Sequence, residues 1–236
     1  KKYENQIIFF GGGANLYKNY TRGKKLIWNN YKKNEIIVLP HTIYDIDLFK
    51  KVKNCKNLII LCRDFISYTY VNNKFNINDN IYLCDDLGLY LTIPNFYLNK
   101  SKYKKELICF TSKIEKTIEN LENNYDFPFI KKPKIKEDIT KDIIEKIYFE
   151  YLNEIYPYNI IKTNRIQVAI ISALMKKKVF LYNSSYFKNK AIYDFSLKEF
   201  NNINFIENDD FIEYKNNYRL TWICSCFCAD KYIEDF

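Results

Sequence analysis

Short apolar runs alternate along this chain with segments whose apolar positions recur at helical spacing. Asn159 to Lys162 is a run of strand type. Thr163 and Asn164 are helix-capping residue types, and Val168, Ile171, Leu174 and Met175 then mark one helical face. Val179 to Tyr182 reads as the next strand, followed by a polar loop that carries Lys188 and Asn189. Strand, tight turn, helix and strand predict a βαβ unit. Its first turn aims free helix N–H groups, with Arg165 beside them, above the strand ends, a place suited to an anion. An ordinary crossover with a surface arginine is the plain alternative.

The same alternation runs through the rest of the chain. Gln6 to Phe10 reads as a strand entering Gly11-Gly12-Gly13, after which Ala14, Asn15 and Leu16 lead towards a helix near Arg22 to Tyr31. Three glycines after a strand allow close approach of a ligand or a sharp reversal, although Leu16 stands where a dinucleotide fingerprint needs its third glycine. Ile36 to Leu39 is a second strand, closed by a Pro40-His41-Thr42 loop. A helix over about Asp45 to Val52, a strand at Leu58 to Cys62 ending in Arg63-Asp64, a helix at Phe65 to Tyr70 and a strand at Ile81 to Cys84 follow. After polar, Lys-rich sequence from Pro94 to Lys105 come a strand at Glu106 to Phe110 and irregular chain from Asn120 to Lys134. Then a long amphipathic helix from Ile139 to Ile155 is expected, capped by Asp138 or Thr140, with later elements at Ala191 to Phe200 and Ile203 to Ile206. Helix is expected from Asp209 onwards. The pattern predicts an α/β fold of two Rossmann-like domains, 1–100 and 101–236, with a cleft between them. Gly11–Gly13, Pro40–Thr42, Arg63–Asp64, Thr163–Gln167 and Tyr186–Asn189 all follow strands, where open α/β sheets bind ligands.

Composition narrows the chemistry. With 236 residues, 47% of them hydrophobic, the chain can bury a real core, and no apolar run approaches the ~18 residues of a membrane span. No signal peptide is visible, and a start at Lys1 with a strand so soon after leads us to expect a missing N-terminal portion. The net charge of +9 comes almost wholly from lysine, and no basic run with interleaved aromatics forms a nucleic-acid module, so nucleic-acid binding is not expected. The excess of Lys, Asn, Ile, Tyr and Phe has the look of AT-rich coding. Against it Arg22, Arg63, Arg165 and Arg219 stand out. Seven scattered cysteines, mostly in apolar runs, suit buried free thiols and a reducing, cytoplasmic setting. Packing is a better account than zinc for Cys224, Cys226 and Cys228, which have no histidine near them. His41 is the only histidine. Neither a cofactor nor a metal is implied.

Taken in order, FFGGGANL, IIVLPHTIYD, LCRDFISY with Phe75 after it, LCDDLGLYL, KTNRIQVAIISALMKKKVFLYN and SYFKNKAIYDFSL resemble the polysaccharide pyruvyl transferase family over nearly the whole chain. The resemblance implies a glycosyltransferase-B-like fold and transfer of a pyruvyl group from phosphoenolpyruvate to hydroxyls of a sugar, in polysaccharide biosynthesis. Phosphoenolpyruvate brings a phosphate and a carboxylate, so cations and backbone donors are needed, with an acid and a base to move protons. The family's Thr-Asp-Arg-Leu-His motif falls on Thr163-Asn164-Arg165-Ile166-Gln167. Arg165 keeps the anion contact, but the Gln167 amide does not titrate near neutrality. Phe110-Thr111-Ser112 stands where the family has an Arg-x-Asp type motif, and Tyr186-Phe187-Lys188-Asn189 where it has Tyr-Gly-Lys-Asn. The candidate site is therefore His41 and Gln167 for catalysis, with Gly11, Gly12, Gly13, Asn15, Arg63, Asn164, Arg165, Lys188 and Asn189 for the anion and the substrate. A glycosyltransferase using a nucleotide sugar, or a catalytically inactive glycan-binding protein, are the alternatives on the same scaffold.

Overall fold

In the computed structural model the described residues are 2–17, 21–44, 48, 52, 55–74, 80–99, 105–111, 122–130 and 140–207. The helix expected over Asp45 to Val52 lies outside them save for Leu48 and Val52, both buried. Arg219, the three clustered cysteines and the expected C-terminal helix lie outside them altogether. The chain forms two compact units, one holding Lys1–Leu87 with Asp194–Ser196, the other holding Gly88–Tyr193 and the chain from Leu197 through its last described strand.

The first unit is built on a parallel sheet in which β3 (Glu35–Tyr44) pairs with β1 (Ile7–Phe10), β2 (Gly13–Tyr17) and β4 (Leu58–Cys62), and β4 pairs with β5 (Ile81–Leu83). Leu16, Ile36, Val38, Ile43, Leu58, Ile60 and Cys62 supply its core. Helices α1 (Thr21–Asn30) and α2 (Phe65–Lys74) complete what is described of it.

Two expectations change here. The strand beginning at Glu35 does not end in a Pro40-His41-Thr42 loop but runs on to Tyr44. Its register against β4 advances by one residue between Val38 and His41, a bulge that takes in Leu39 and Pro40. A bulge is where a strand tolerates a residue with no N–H to donate. The helix expected near Arg22 to Tyr31 is present as α1, but a strand intervenes between it and the glycine triplet. Gly13 pairs with His41 and the chain continues as β2 along the same side of β3 that β1 occupies.

The second unit carries the parallel sheet β6 (Lys105–Cys109), β7 (Tyr158–Thr163), β8 (Lys178–Tyr182) and β9 (Ile203–Ile206), in chain order. Its helices are α3 (Asn95–Leu98), α4 (Phe127–Ile130), α5 (Lys141–Ile155), α6 (Ile166–Leu174) and α7 (Lys188–Ile192). A 3-10 turn at Leu87–Tyr90 precedes α3, and a π-helical turn at Tyr193–Leu197 follows α7. Thr140 caps α5 by accepting the Ile143 N–H. Helix α6 is apolar nearly all round, with Val168, Ala169, Ile170, Ile171 and Ala173 buried, so it is a core helix rather than a surface one. Its C-terminus is closed by Asn202, whose Nδ2 donates to the carbonyls of Ala173 and Lys177 at 2.9 Å each. The irregular stretch after Asn120 contains α4, and the helix expected over Ala191 to Phe200 is the short α7 running into the π turn. The architecture is Rossmann-like α/β with parallel sheets.

Candidate functional site

In the second unit the C-terminal ends of β7 and β8 and the helices that follow them carry five of the residues singled out from the sequence, Asn164, Arg165, Gln167, Lys188 and Asn189. Neither Thr163 nor Asn164 occupies the N-cap position of α6, which is Arg165. The Thr163 hydroxyl instead donates to the Cys109 carbonyl at 2.5 Å and accepts the Arg165 N–H at 3.0 Å, tying β7 to β6. Asn164 Oδ1 accepts the Thr111 N–H at 2.8 Å. Arg165 is the residue at the helix N-cap, and its side chain makes no capping bond. The N-cap side chain therefore meets none of the N–H groups of the first turn of α6.

The Arg165 guanidinium is aimed by a partner that sequence reading missed. Its Nη2 donates to Asp126 Oδ2 at 2.7 Å and to the Thr111 hydroxyl at 3.3 Å, while Nε lies 2.5 Å from Asp126 Oδ1. The Nε contact is an ion-pair approach outside hydrogen-bonding angles. Among the described residues Nη1 has no hydrogen-bond partner, and the side chain is 24% exposed. Asp126 is itself held in place by its neighbours. The Tyr125 N–H donates to the Ile108 carbonyl, Asn124 pairs through its amide with both backbone groups of Phe110, and Phe127 is buried against Tyr151. The available signal was an acid between Tyr125 and Phe127, since a carboxylate in an apolar run needs a cation.

Lys188 and Asn189 open helix α7 instead of lying in a polar loop, and both are buried. The Asn189 Nδ2 group donates to the carbonyls of Asn164 at 2.7 Å and Tyr182 at 2.8 Å, clamping the ends of β7 and β8. Lys188 Nζ sits 5.4 Å from the centre of the Tyr186 ring. Gln167 is exposed on the second residue of α6.

In the first unit His41 of β3 meets Asn15 of β2 and lies near Arg63, which follows β4, in a different chemical setting. His41 is fully buried, and its Nε2 accepts the Asn15 N–H at 3.0 Å. That contact requires Nε2 to be unprotonated and puts the proton of the neutral ring on Nδ1, which is buried near Leu39 without a well-formed hydrogen bond. Burial first, and the Arg63 charge second, lower its pKa to about 3. Arg63 is buried too, donating through Nη1 to Asp86 Oδ2 at 2.6 Å and through Nε to the Thr42 hydroxyl at 3.0 Å. Thr42 in turn donates to Asp64 Oδ2 at 3.0 Å. Asp64 begins α2 by accepting both the N–H and the hydroxyl of Ser67, at 2.7 and 2.8 Å, and burial outweighs these bonds to push its carboxyl up. The Ser67 oxygen also takes the Ile43 N–H. This network ties β3, the chain after β4 and β5 and the start of α2 together.

The three glycines differ in what surrounds them. A Cβ on Gly12 would lie 2.9 Å from the Pro40 carbonyl oxygen, Gly13 has φ +138, and Gly11 has open space around its Cβ position. The close approach at Gly12 is therefore to backbone of β3.

No helix among the described residues is long and apolar enough to cross a membrane, and no group of His, Cys, Asp and Glu among them is arranged to hold a metal ion. No family model matches the chain. It is 24% identical to general stress protein 30 of Bacillus subtilis over 237 aligned positions, covering 88% of this chain and 66% of that protein, just under two thirds of its length. A crystal structure of a protein of uncharacterised function from Klebsiella pneumoniae matches with a TM-score of 0.71 at 30% identity, over 87% of this chain and 78% of that one. At that identity and coverage the chain belongs to one family with this Klebsiella protein.

Proposed function

We propose that this chain is a glycan-modifying transferase of the polysaccharide pyruvyl transferase type, moving a pyruvyl group from phosphoenolpyruvate to a sugar. A glycosyltransferase-B-like architecture and a cytoplasmic setting are part of that reading. The observation that carries it is Arg165, poised at the first turn of a nine-residue helix above a parallel sheet, oriented by Asp126, with Nη1 unbonded. First-turn helix N–H groups beside an oriented guanidinium suit an anion, and they are worth more where water is partly excluded. Phosphoenolpyruvate has the charge to use both.

A second reading, a glycosyltransferase that takes a nucleotide sugar as donor, is favoured by one specific observation. His41 is buried as a neutral ring with a pKa of about 3, and Gln167 carries no titratable proton, so the two residues expected to move protons are not built for it. A pyrophosphate leaving group would use the same anion site. The same observation suits a glycan-binding protein without catalysis.

Thermal-shift screening against phosphoenolpyruvate and a panel of nucleotide sugars separates these readings, because a ligand bound to the folded state raises the melting temperature with its concentration. Arg165→Ala is expected to weaken binding of whichever anion is found by about 1.5–3 kcal/mol, the worth of a charged hydrogen bond. That variant also leaves the Asp126 carboxylate alone, so Arg165→Ala combined with Asp126→Asn serves as the control for stability. Unchanged affinity in both variants removes Arg165 from the site.

A further inference from the structure

Asn189 holds an atom that the protein does not use. Its residue is fully buried, and both protons of Nδ2 are spent on the carbonyls of Asn164 and Tyr182. The amide cannot be turned over, since that would set Oδ1 against two carbonyl oxygens. Among the described residues no donor meets Oδ1, which is left buried. A buried carbonyl without a partner is costly to the fold, and the surrounding bonds hold it in place regardless. The amide that carries it is anchored through Nδ2 to the carbonyl of Asn164, the residue immediately before the Arg165 N-cap of α6. The donors at this end are cationic or backbone N–H groups and call for an anion. Asn189 Oδ1 calls for an O–H.

We propose that Asn189 Oδ1 accepts a sugar hydroxyl held next to the anion that Arg165 binds. The inference rests on the reading of Arg165 as the anion ligand and adds the second half of the ligand. Phosphoenolpyruvate at neutral pH offers only acceptors, so it cannot satisfy this atom by itself. The hydroxyl comes either from a phosphorylated sugar that also supplies the anion, or from an acceptor sugar bound beside an anion without hydroxyls. In both cases Asn189 is a specificity-determining contact. A site built to take a hydroxyl rejects an analogue that lacks it far more strongly than an apolar pocket rejects an added methylene.

Three probes test this by calorimetric titration of the intact chain: glucose 1-phosphate, cyclohexyl phosphate, which keeps ring and phosphate without hydroxyls, and phosphoenolpyruvate with and without methyl glucoside. Binding of glucose 1-phosphate at least about tenfold tighter than cyclohexyl phosphate supports the proposal with a phosphorylated sugar as the source. An equal gain in phosphoenolpyruvate affinity on adding methyl glucoside supports it with the acceptor as the source. In either case Asn189→Leu is expected to bring the ratio close to one, and because the ratio is also read in the parent chain, a variant that fails to fold leaves the test intact. Indifference to the hydroxyls, with both phosphates or phosphoenolpyruvate bound, overturns the role of Asn189 and leaves Arg165 standing. Failure of every anion to bind overturns both readings together.

Discussion

Burial of His41 as a neutral ring has a consequence for stability against acid that can be worked out in advance. Its pKa lies at about 3 in the folded chain against a value of 6.5 when exposed to water. Between those two pH values the unfolded chain binds a proton that the folded chain refuses, so stability is full above pH 6.5 and declines as the pH falls towards 3. The slope over that window is about 1.4 kcal/mol per pH unit, giving about 2 kcal/mol lost between pH 7 and pH 5. The figure at pH 5 does not depend on how far below 5 the folded value lies. Asp64, whose carboxyl is pushed up by burial, acts in the opposite sense: its contribution is greatest in acid and fades as the pH rises. The two effects separate in a comparison of the parent with His41→Asn, which keeps an acceptor for the Asn15 N–H and retains Asp64. Urea midpoints followed by circular dichroism at pH 7, 6 and 5 measure both chains. The variant is expected to be the less stable at pH 7, through lost contact with Phe10, whose ring centre lies 5.3 Å from that of His41. That deficit should shrink by about 2 kcal/mol by pH 5. A stability difference that stays constant across this range refutes the assignment of a buried neutral imidazole, and would return His41 to the candidates for proton transfer.

Three other outcomes follow from the same geometry. Asp86→Ala leaves the Arg63 guanidinium buried without its carboxylate and should cost about 3–5 kcal/mol in urea unfolding, whereas less than about 1 kcal/mol would mean the pair is hydrated. Gly12→Val drives a side chain against the Pro40 carbonyl and should lower stability by about 1–3 kcal/mol or more, so any loss of ligand binding it causes reflects the sheet, and an unchanged melting temperature would reopen the ligand-loop reading. Lys176, exposed at the end of α6 with φ 57, occupies a conformation that suits glycine, and Lys176→Gly should stabilise the chain by about 0.5–1 kcal/mol, a gain that thermal melting can resolve.

Where hydrophobic periodicity is the whole cause of an element, the sequence alone placed it. The strands at Leu58–Cys62, Ile81–Leu83, Lys178–Tyr182 and Ile203–Ile206 and the helix Lys141–Ile155 lie within a residue or two of their expected bounds, because burial of one stripe is what makes them form. The alternation of those elements was enough to indicate parallel sheets. Thr140 was legible as a cap because capping is decided within four residues. The polar residues were legible as a group at strand ends, but not in what they do. Pro40 looked like a stop, yet a bulge registered against β4 let the strand carry His41 into the core. Lys188 and Asn189 looked like loop polarity, and it took the carbonyls of Asn164 and Tyr182, 25 and 7 residues away, to draw Asn189 inside. Asp126 is 39 residues from Arg165 in the chain and carries no motif of its own. Periodicity reports only whether a residue faces a core. Which buried donor meets which buried acceptor is decided when distant strand ends are brought side by side, and that is a property of the folded sheet.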